Sequence, residues 1–361
     1  MKWSFKIATV SGIPVFVHGT FLLLLVFILV NDLAAGLTLG VALGEVAFLL
    51  VVFGTVVAHE FGHALTARRF GIRTKDITLL PIGGLARLER IPDVPRQELW
   101  VALAGPAVNL VLAAATFLAM AGLGTGLPSG VFNPTTGSAL SRFIGINLWL
   151  AFFNLIPAFP MDGGRALRAL LAERFEYVRA TEIAATLGQG LAMVFGFVGL
   201  FTNPFLLFIA LFVWMGATAE ASMVTVRTAL AGIPVGRAMI TDFRALEAHD
   251  SLQYAADLVI AGSQQDFPVV DGDRVVGVLT REALIRALAQ RGLHATVGDV
   301  MTSVFETADA REMLETAFVR LETCHCPVLP VLSGGRLVGL LTRDNVGEFV
   351  SIRGALSRRQ A

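Results

Sequence analysis

Residues 41–65 read VALGEVAFLLVVFGTVVAHEFGHAL, and this stretch decides the fold class of the chain. About 20 predominantly apolar residues in a helix are enough to cross a hydrocarbon core of about 30 Å, so the stretch predicts a membrane-spanning helix. It nevertheless carries His59, Glu60 and His63 near its end. Ionisable side chains at membrane depth are costly and mark functional sites by default. The stretch therefore predicts a membrane helix with a chemical task.

The composition agrees with a membrane location. Of the 361 residues, 55% are hydrophobic and 16% are charged, and the mean hydropathy is +0.70. These values are too apolar for an ordinary soluble domain. We expect a multi-pass α-helical membrane protein with about six transmembrane helices, because six apolar segments stand out: approximately Ile13–Val30, Val41–Leu65, Val101–Leu123, Ala139–Ala158, Ile183–Phe201 and Pro204–Ala219.

Basic residues are distributed unevenly between the two sides of the predicted membrane domain. The segments Asn31–Gly40, Gly124–Ser138 and Thr202–Asn203 contain no Lys or Arg, and Arg142 is the one basic residue near that side. The positive-inside rule therefore predicts a cytoplasmic N-terminus and a cytoplasmic C-terminal domain. The basic residues on the cytoplasmic side are Lys2, Lys6, Arg68, Arg69, Arg73, Lys75, Arg87, Arg90, Arg96, Arg165, Arg168, Arg174 and Arg179.

Three further features bear on compartment and partners. Residues 1–10 lack the basic start of a cleavable signal peptide, and no small-residue cleavage site follows the first apolar run. The two cysteines, Cys324 and Cys326, form no disulfide framework, which fits a reducing cytoplasm around the C-terminal domain. The net charge of +0 gives no reason to expect a nucleic-acid partner.

An internal repeat occupies the C-terminal part of the chain. The sequence VGRAM at 235–239 recurs as VGDVM 62 residues later, and VVGVLTRE at 275–282 recurs as LVGLLTRD at the same offset. Each copy predicts a helix, a strand, a turn, a strand and a closing helix, which makes this an α+β domain. We expect a membrane domain at 1–220, a linker at 221–233, tandem repeats at 234–350 (234–290 and 296–350) and a tail at 351–361.

The motif His59-Glu-Phe-Gly-His63 predicts a metal site. Residues four apart project from the same face of a helix, so two imidazoles there can bind one zinc ion, and the intervening Glu60 can act as the base for a water molecule. The chain has only six histidines, which makes chance a poor explanation for the pattern.

A catalytic zinc needs a third protein ligand. The candidates in or beside apolar segments are His18, Glu45 and Asp162. Asp162 is best placed, because it lies in the segment NLIPAFPMDGG at 154–164, whose prolines and glycines disrupt a helix and let a carboxylate turn inward. By chemistry alone, an interfacial Asp in a helix-ending loop explains the segment equally well.

Together these motifs resemble the site-2 protease family of intramembrane metalloproteases, in the bacterial subgroup with a C-terminal pair of CBS domains. The resemblance rests on the His-Glu-x-x-His helix and the Asn-x-x-Pro-x-x-Pro-x-Asp-Gly segment, with further similarity in GPAVN at 105–109 and GIPVFVH at 12–18. It implies one Zn²⁺ per chain held by His59, His63 and Asp162, with Glu60 as general base. It also implies an endopeptidase that cleaves a transmembrane helix of a membrane-protein substrate.

The resemblance also suggests roles for nearby residues. Asn154 and Asn109 are candidate donors to the peptide or the oxyanion, with interhelical hydrogen bonding as the alternative. His18 either guards the entrance or is a structural histidine at the interface. The Gly-rich segment Thr78–Leu88 looks extended, and it is either an edge strand that holds an unwound substrate or a simple loop.

The repeats resemble CBS domains, which pair into a module and often bind adenine nucleotides. Thr280 and Thr342 match the position that commonly contacts phosphate, but Ala283 and Asn345 replace the Asp that binds ribose. A ligand-free module for docking or homodimerisation is therefore the alternative. For the run of three residues Cys-His-Cys at 324–326 we expect a packed strand rather than a metal site, because neighbouring strand residues point to opposite faces.

Two other functions compete with proteolysis. A CBS-regulated transporter or channel would make the His-Glu-x-x-His helix incidental, but the repeated halves common in transporters are not visible in the membrane part. A catalytically silent membrane scaffold is the second alternative, and the intact Glu60 and Asp162 argue against it.

Overall fold

The computed structural model describes residues 3–81, 83–90, 92, 94–123, 138–293, 295–324 and 326–357. The chain divides into two compact units, Met1–Ser222 and Met223–Ala361, which we call the membrane unit and the repeat unit. The loop predicted at 124–138 lies, except for its last residue, outside the described residues.

The membrane unit consists mainly of apolar helices. They are α1 (Gly19–Ala34), α2 (Leu39–Arg69), α3 (Pro95–Gly122), α4 (Ala139–Leu155), α5 (Asp162–Ala172), α6 (Tyr177–Phe201) and α7 (Phe205–Leu230). Among the described residues, α2, α3, α6 and α7 are long and apolar enough to span a membrane, whereas α1 and α4 are apolar but have only 16 and 17 residues. These helices confirm the prediction of a multi-pass helical membrane protein.

The helix expected over Ile13–Val30 begins later than the sequence suggested. Burial alternates along Ile13–His18, and this stretch forms strand β2 instead. His18 then caps α1, with its Nδ1 accepting a hydrogen bond from the Thr20 N–H. A period of two followed by a polar cap favours a strand that ends where the helix begins.

A four-stranded sheet packs against α2. Its order is β1 (Ser4–Val10), β2, β3 (Thr74–Leu80) and β4 (Gly83–Leu88), with β2 and β3 parallel and the other pairs antiparallel. Ile13 and Ile77 of the sheet are buried together with Ala64 of α2. Because β4 lies at one edge of the sheet, the extended segment predicted at 78–88 does contain an edge strand.

The helix α7 extends beyond the sixth apolar segment. Residues 221–230, which the sequence assigned to the start of a linker, are its last turns. Residues 223–230 belong to the repeat unit, where Leu230 is buried in the core and Arg227 forms an ion pair with Glu315. Residues 217–231 contain neither glycine nor proline, so nothing in the sequence ends the helix before Gly232.

The repeat unit confirms two α+β repeats. Each has a three-stranded sheet. The first repeat contains β5 (Leu246–Glu247), α8 (Leu252–Ala261), β6 (Phe267–Asp271), β7 (Arg274–Leu279) and α9 (Arg281–Arg291), and the second contains β8 (Ala308–Asp309), α10 (Leu314–Cys324), β9 (Val328–Ser333), β10 (Arg336–Thr342) and α11 (Arg343–Ser357). The predicted tail at 351–361 thus begins inside α11.

Two symmetrical contacts join the repeats. Gly277 faces the Met301 side chain, and Gly339 faces Met239 in the same way. A Cβ atom added to either glycine would lie 2.6 Å from the methionine sulfur, so each contact requires glycine. Both the two glycines and the two methionines are 62 residues apart, and the repeats are therefore related by an approximate two-fold axis.

The two cysteines differ from expectation. Cys324 ends α10 and Cys326 precedes β9, so the segment is not a strand, and a disulfide joins the two residues. Their Cα atoms are 5.1 Å apart, which a disulfide can bridge. The prediction of a strand was wrong because the chain passes from helix α10 to strand β9 at these residues. His325 lies outside the described residues.

A buried ion network fixes the short helix α5. Arg168, which the charge count assigned to the cytoplasmic side, has a side chain only 1% exposed. Its Nε donates to Glu98 Oε1 over 2.8 Å, and its Nη1 donates to Glu220 Oε1 over 2.6 Å. The guanidinium also lies 5.1 Å from the ring centres of Phe159 and Tyr177. The network ties α5 to α3 and to α7.

Replacing Arg168 by Leu should lower the free energy of unfolding by roughly 3–5 kcal/mol, because Glu98 would stay buried without its cation. Arg165→Leu is the matched control, since Arg165 is an exposed residue of the same helix. Denaturant unfolding of the detergent-purified variants measures the difference. Equal stability of the two variants would contradict a structural role for the network.

Candidate metal centre

Three buried side chains meet where α2 approaches the start of α5. His59 and His63 lie one turn apart on α2, and Asp162 is the first residue of α5. Asp162 Oδ2 is 3.1 Å from the Nε2 atom of each histidine, and the two Nε2 atoms are 3.0 Å apart. The three residues are only 7–8% exposed. The structure thus brings together the three residues that the sequence suggested as metal ligands.

Both histidines are held through their outer nitrogen atoms. His59 Nδ1–H donates to Asn109 Oδ1 over 2.6 Å, and His63 Nδ1–H donates to the Val101 carbonyl over 2.7 Å. A neutral imidazole that donates through Nδ1 has its lone pair on Nε2. Both lone pairs therefore point to the space beside Asp162, which is the orientation that a metal ion requires.

The helix α3 supplies this support from a single stripe. Val101, Gly105 and Asn109 are spaced by four residues, so they lie on one face of the helix. A Cβ atom at Gly105 would lie 2.2 Å from His63 Nε2 and 2.6 Å from His59 Nε2, so only glycine fits there. This close approach accounts for the glycine in the stretch GPAVN.

Asn109 and Asn154, the two candidate donors to a substrate, have different surroundings. Asn109 is fully buried, and its Nδ2 donates to Asn147 Oδ1 over 2.9 Å, while Asn147 Nδ2 donates to the Phe143 carbonyl. Asn109 therefore orients His59 and has no access to a peptide, which favours the interhelical alternative. Asn154 is half-buried and donates to the Leu150 carbonyl of its own helix, and its role toward a substrate stays a prediction.

Asn147 is a residue of the site that the sequence did not single out. It is fully buried in α4. Its Oδ1 accepts a hydrogen bond from Asn109 Nδ2, so the Oδ1 of Asn109 is turned toward His59. The only signal for it was a polar residue within the apolar segment 139–158. Spacing relative to the histidine motif could not have identified it.

Glu60 lies beside the metal centre, between α2 and strand β4. Its Oε2 accepts a hydrogen bond from the Ala86 N–H over 3.1 Å. A Cβ atom at Gly84 would lie 2.6 Å from Glu60 Cγ, so the missing side chain of Gly84 makes room for the carboxylate. The extended segment predicted near the cleft is therefore in direct contact with the predicted base.

The other candidate ligands have different partners. His18 caps α1, as its structural alternative anticipated. Glu45 forms two hydrogen bonds with Arg142, of 2.9 and 2.7 Å, and belongs to an ion pair between α2 and α4. In the repeat unit, the Thr280 and Thr342 hydroxyls accept hydrogen bonds from the N–H groups three residues later, at the starts of α9 and α11.

The donor set fits zinc. Two imidazole nitrogens and one carboxylate oxygen are the ligand types of catalytic zinc sites, which use three protein ligands and leave one position open. Within the described residues, the possible ligand atoms of His59, His63 and Asp162 all lie within 4.8 Å of one another. The burial of this donor set and its fixed imidazoles suit a permanently bound ion.

Replacing Gly105 by Ala should reduce the zinc content of the purified protein well below one per chain. The new methyl group would occupy the space beside both Nε2 atoms. Gly122→Ala is the matched control, because Gly122 belongs to the same helix and a Cβ there would meet nothing within 4 Å. Elemental analysis measures both, and normal zinc content in the Gly105 variant would contradict the proposed geometry.

Comparisons with known proteins agree with this site. The model of peptidase family M50 matches residues 47–141 and 133–195, and the CBS domain model matches residues 235–290 and 297–351. A zinc metalloprotease of Methanocaldococcus jannaschii is 30% identical over 359 residues, which are 98% of this chain and 97% of its own. A protein of Synechocystis named as a candidate zinc metalloprotease is 32% identical, covering 96% of this chain and 95% of its own.

Among solved structures, the site-2 protease from Methanocaldococcus jannaschii is 34% identical, with a TM-score of 0.45, and the match covers 61% of this chain and 95% of that one. The full-length similarity to zinc metalloproteases replaces the hypotheses of a transporter, a channel or a silent scaffold. The chain belongs to peptidase family M50, as an integral membrane zinc metalloprotease of the site-2 protease type with a C-terminal CBS-domain pair.

Proposed function

We propose that this protein cleaves a transmembrane helix of a membrane-protein substrate, with His59, His63 and Asp162 holding the zinc ion and Glu60 acting as general base. The observation that carries the proposal is the convergence of three buried ligand atoms, one of them on His59, which precedes Glu60 in α2. Neither alternative function accounts for this complete set.

The chemistry follows from the positions of these groups. When bound, zinc acidifies a coordinated water molecule and polarises the carbonyl of the scissile peptide. Glu60 Oε2 takes the proton from water and passes it to the nitrogen of the leaving group. Asn109 and Val101 keep the two imidazoles in one orientation during these transfers. Burial of the ligands limits the access of bulk water.

A helical substrate must unwind before it can react, because its backbone amides are already hydrogen-bonded. Strand β4 ends the sheet, and its edge lies next to Glu60, which accepts a hydrogen bond from the Ala86 N–H. An unwound peptide can add to such an edge as a further strand. We assign Asn154 a supporting role, as a donor to the bound peptide.

The charge pattern supports an N-terminus and a repeat unit in the cytoplasm. In α2 the metal-binding residues lie in the last third of the helix, close to the basic pair Arg68 and Arg69. The reaction would then take place near the cytoplasmic surface of the membrane.

Regulation by the CBS pair has a physical route through α7. The last turns of this helix are packed in the core of the repeat unit, and earlier along it Glu220 binds Arg168. Arg168 lies six residues after Asp162 on the short helix α5. A displacement of α7 would therefore act on the third ligand of the metal.

An adenine nucleotide is the effector that family resemblance favours, with weak binding expected. Thr342 and Thr280 retain hydroxyl hydrogens to donate to phosphate, since both oxygens act as acceptors in helix caps. Asn345 Oδ1 is buried and finds no hydrogen-bond partner among the described residues, so it can accept from a ribose hydroxyl. Homodimerisation through the repeats stays a prediction.

Glu60→Gln should retain one zinc per chain but slow cleavage of a transmembrane peptide by about 100-fold or more, because glutamine cannot accept the proton. Glu182→Gln is the matched control, since Glu182 is an exposed residue of α6. Elemental analysis and mass spectrometry of the products measure zinc and cleavage. Cleavage by the Glu60 variant near the wild-type rate would reject Glu60 as the base.

Nucleotide binding should change the cleavage rate of the full chain, by about fivefold if the coupling is typical of allosteric proteins.

Thr342→Val should weaken this response more than Thr280→Val, because only the second repeat has a buried amide oxygen, that of Asn345, three residues after its threonine. Glu220→Gln should reduce the ratio of rates with and without nucleotide. Calorimetry and cleavage assays with millimolar ATP, ADP and AMP measure these effects. Absence of both binding and response would make the module a docking element.

A further inference from the structure

The pairing of β3 and β4 determines which groups of β4 face its free edge. Leu80 and Gly83 pair across the turn, and the register continues regularly to Asp76 and Arg87. In a two-residue hairpin the pair that closes the turn is hydrogen-bonded, and bonded and non-bonded pairs then alternate. Ala86 therefore belongs to a non-bonded pair, and its N–H points away from β3.

The edge-facing N–H of Ala86 already has an acceptor. It donates to Glu60 Oε2, and the carboxylate can lie against the strand because Gly84 has no side chain. The same edge is the surface on which an unwound substrate would add. One N–H group thus has two competing acceptors, the carboxylate of the base and a carbonyl of the substrate.

We propose that these acceptors exchange: the Ala86 N–H holds Glu60 on β4 in the empty enzyme, and an adding substrate strand takes this donor and releases Glu60 Oε2 for proton transfer. Ala86 and Gly84 are then positioning residues for the base. The inference rests on the proposed function, since it requires both a strand-like substrate and a base at Glu60.

Neighbouring contacts keep β4 in place during the exchange. Arg87 Nε donates to Asp76 Oδ1 over 2.9 Å, and Arg87 Nη2 donates to Asp76 Oδ2, which ties β4 to β3. This hydrogen bonding raises the pKa of the Arg87 guanidinium, which therefore stays charged. The exchange therefore moves the Glu60 side chain and leaves the strand where it is.

The exchange also selects among substrates. A hydrogen bond to a carboxylate is stronger than one to a neutral carbonyl, so a single peptide carbonyl at Ala86 is a poor replacement for Glu60. Gly84 lies two residues away and presents its own backbone groups to the same edge. A peptide that pairs with both residues offers enough bonds to displace the base. Only a segment unwound over several residues can do so.

The test follows the exchange of individual amide hydrogens in the zinc-loaded full chain in lipid nanodiscs. The probe is a synthetic Leu/Ala-rich transmembrane peptide of about 20 residues with a central Gly-Asn pair. Glu60→Ala removes the acceptor, and Glu60→Gln is the matched control that keeps an acceptor oxygen. Neither variant should cleave the probe, and zinc content close to one per chain verifies that each is folded.

Without peptide, the Ala86 amide should exchange about tenfold faster in the Glu60→Ala variant than in the Glu60→Gln variant, because a hydrogen bond has been lost. The amides of Leu85 and Arg87 should be unchanged, since they bond to β3. Adding the peptide should restore protection of Ala86 in the Glu60→Ala variant. These three results together support the exchange.

Other results would reject either the exchange alone or the addition of a substrate strand to β4. Equal exchange of Ala86 in both variants without peptide would overturn the inference, and so would a peptide that protects Gly84 but not Ala86. A peptide that protects no amide of β4 in any variant would instead reject substrate addition to this strand, and the inference would fail with it.

A binding measurement gives an independent check. The peptide should bind the Glu60→Ala variant about tenfold more tightly than the Glu60→Gln variant, since no side chain competes for the donor. Adding Ala86→Pro, which an edge strand tolerates where the N–H faces outward, should abolish this difference. A difference that persists in the proline background would show that Glu60 acts through another group and would overturn the exchange.

Discussion

Two histidines can share one metal ion only if each ring directs an unprotonated nitrogen to it. Here that condition depends on α3, where Val101 and Asn109 accept the two Nδ1–H groups. Gly105, between them on the same stripe, lets the helix come close enough for both bonds to form. A single helix face therefore sets the tautomers, the ring orientations and the width of the metal centre.

A low-dielectric surrounding imposes a second constraint, because an ionised side chain there needs a partner. The membrane unit satisfies it by pairing charges between helices. Glu45 binds Arg142 near the start of α2, and Arg168 binds the carboxylates of Glu98 and Glu220. Such pairs are costly to break, so they limit how far α4, α5 and α7 can move.

The sequence predicted best what lies within one element. The spacing of His59 and His63 and the alternation and offset of the repeats were enough for α2 and for the repeat fold. Contacts between distant elements were harder to predict. The helix-breaking segment around Asp162 favoured it over His18 and Glu45, but only the family resemblance favoured a metal ligand over an interfacial Asp. Asn147 was missed because its partner lies 38 residues away. Strand β2 was taken for helix, since hydropathy does not distinguish a buried apolar strand from the start of a membrane helix.

The crossed glycine–methionine contacts between the repeats have a consequence for their origin. Gly277 is covered by Met301 and the Thr302 carbonyl of the second repeat, and Gly339 is covered by Met239 and the Ile240 carbonyl of the first. A single repeat would expose both its glycine and its methionine to solvent. Two separate copies could cover both residues if the methionine of each copy packed on the glycine of the other in the same two-fold arrangement. The tandem module is therefore best understood as a former symmetric dimer made permanent by fusing its subunits into one chain.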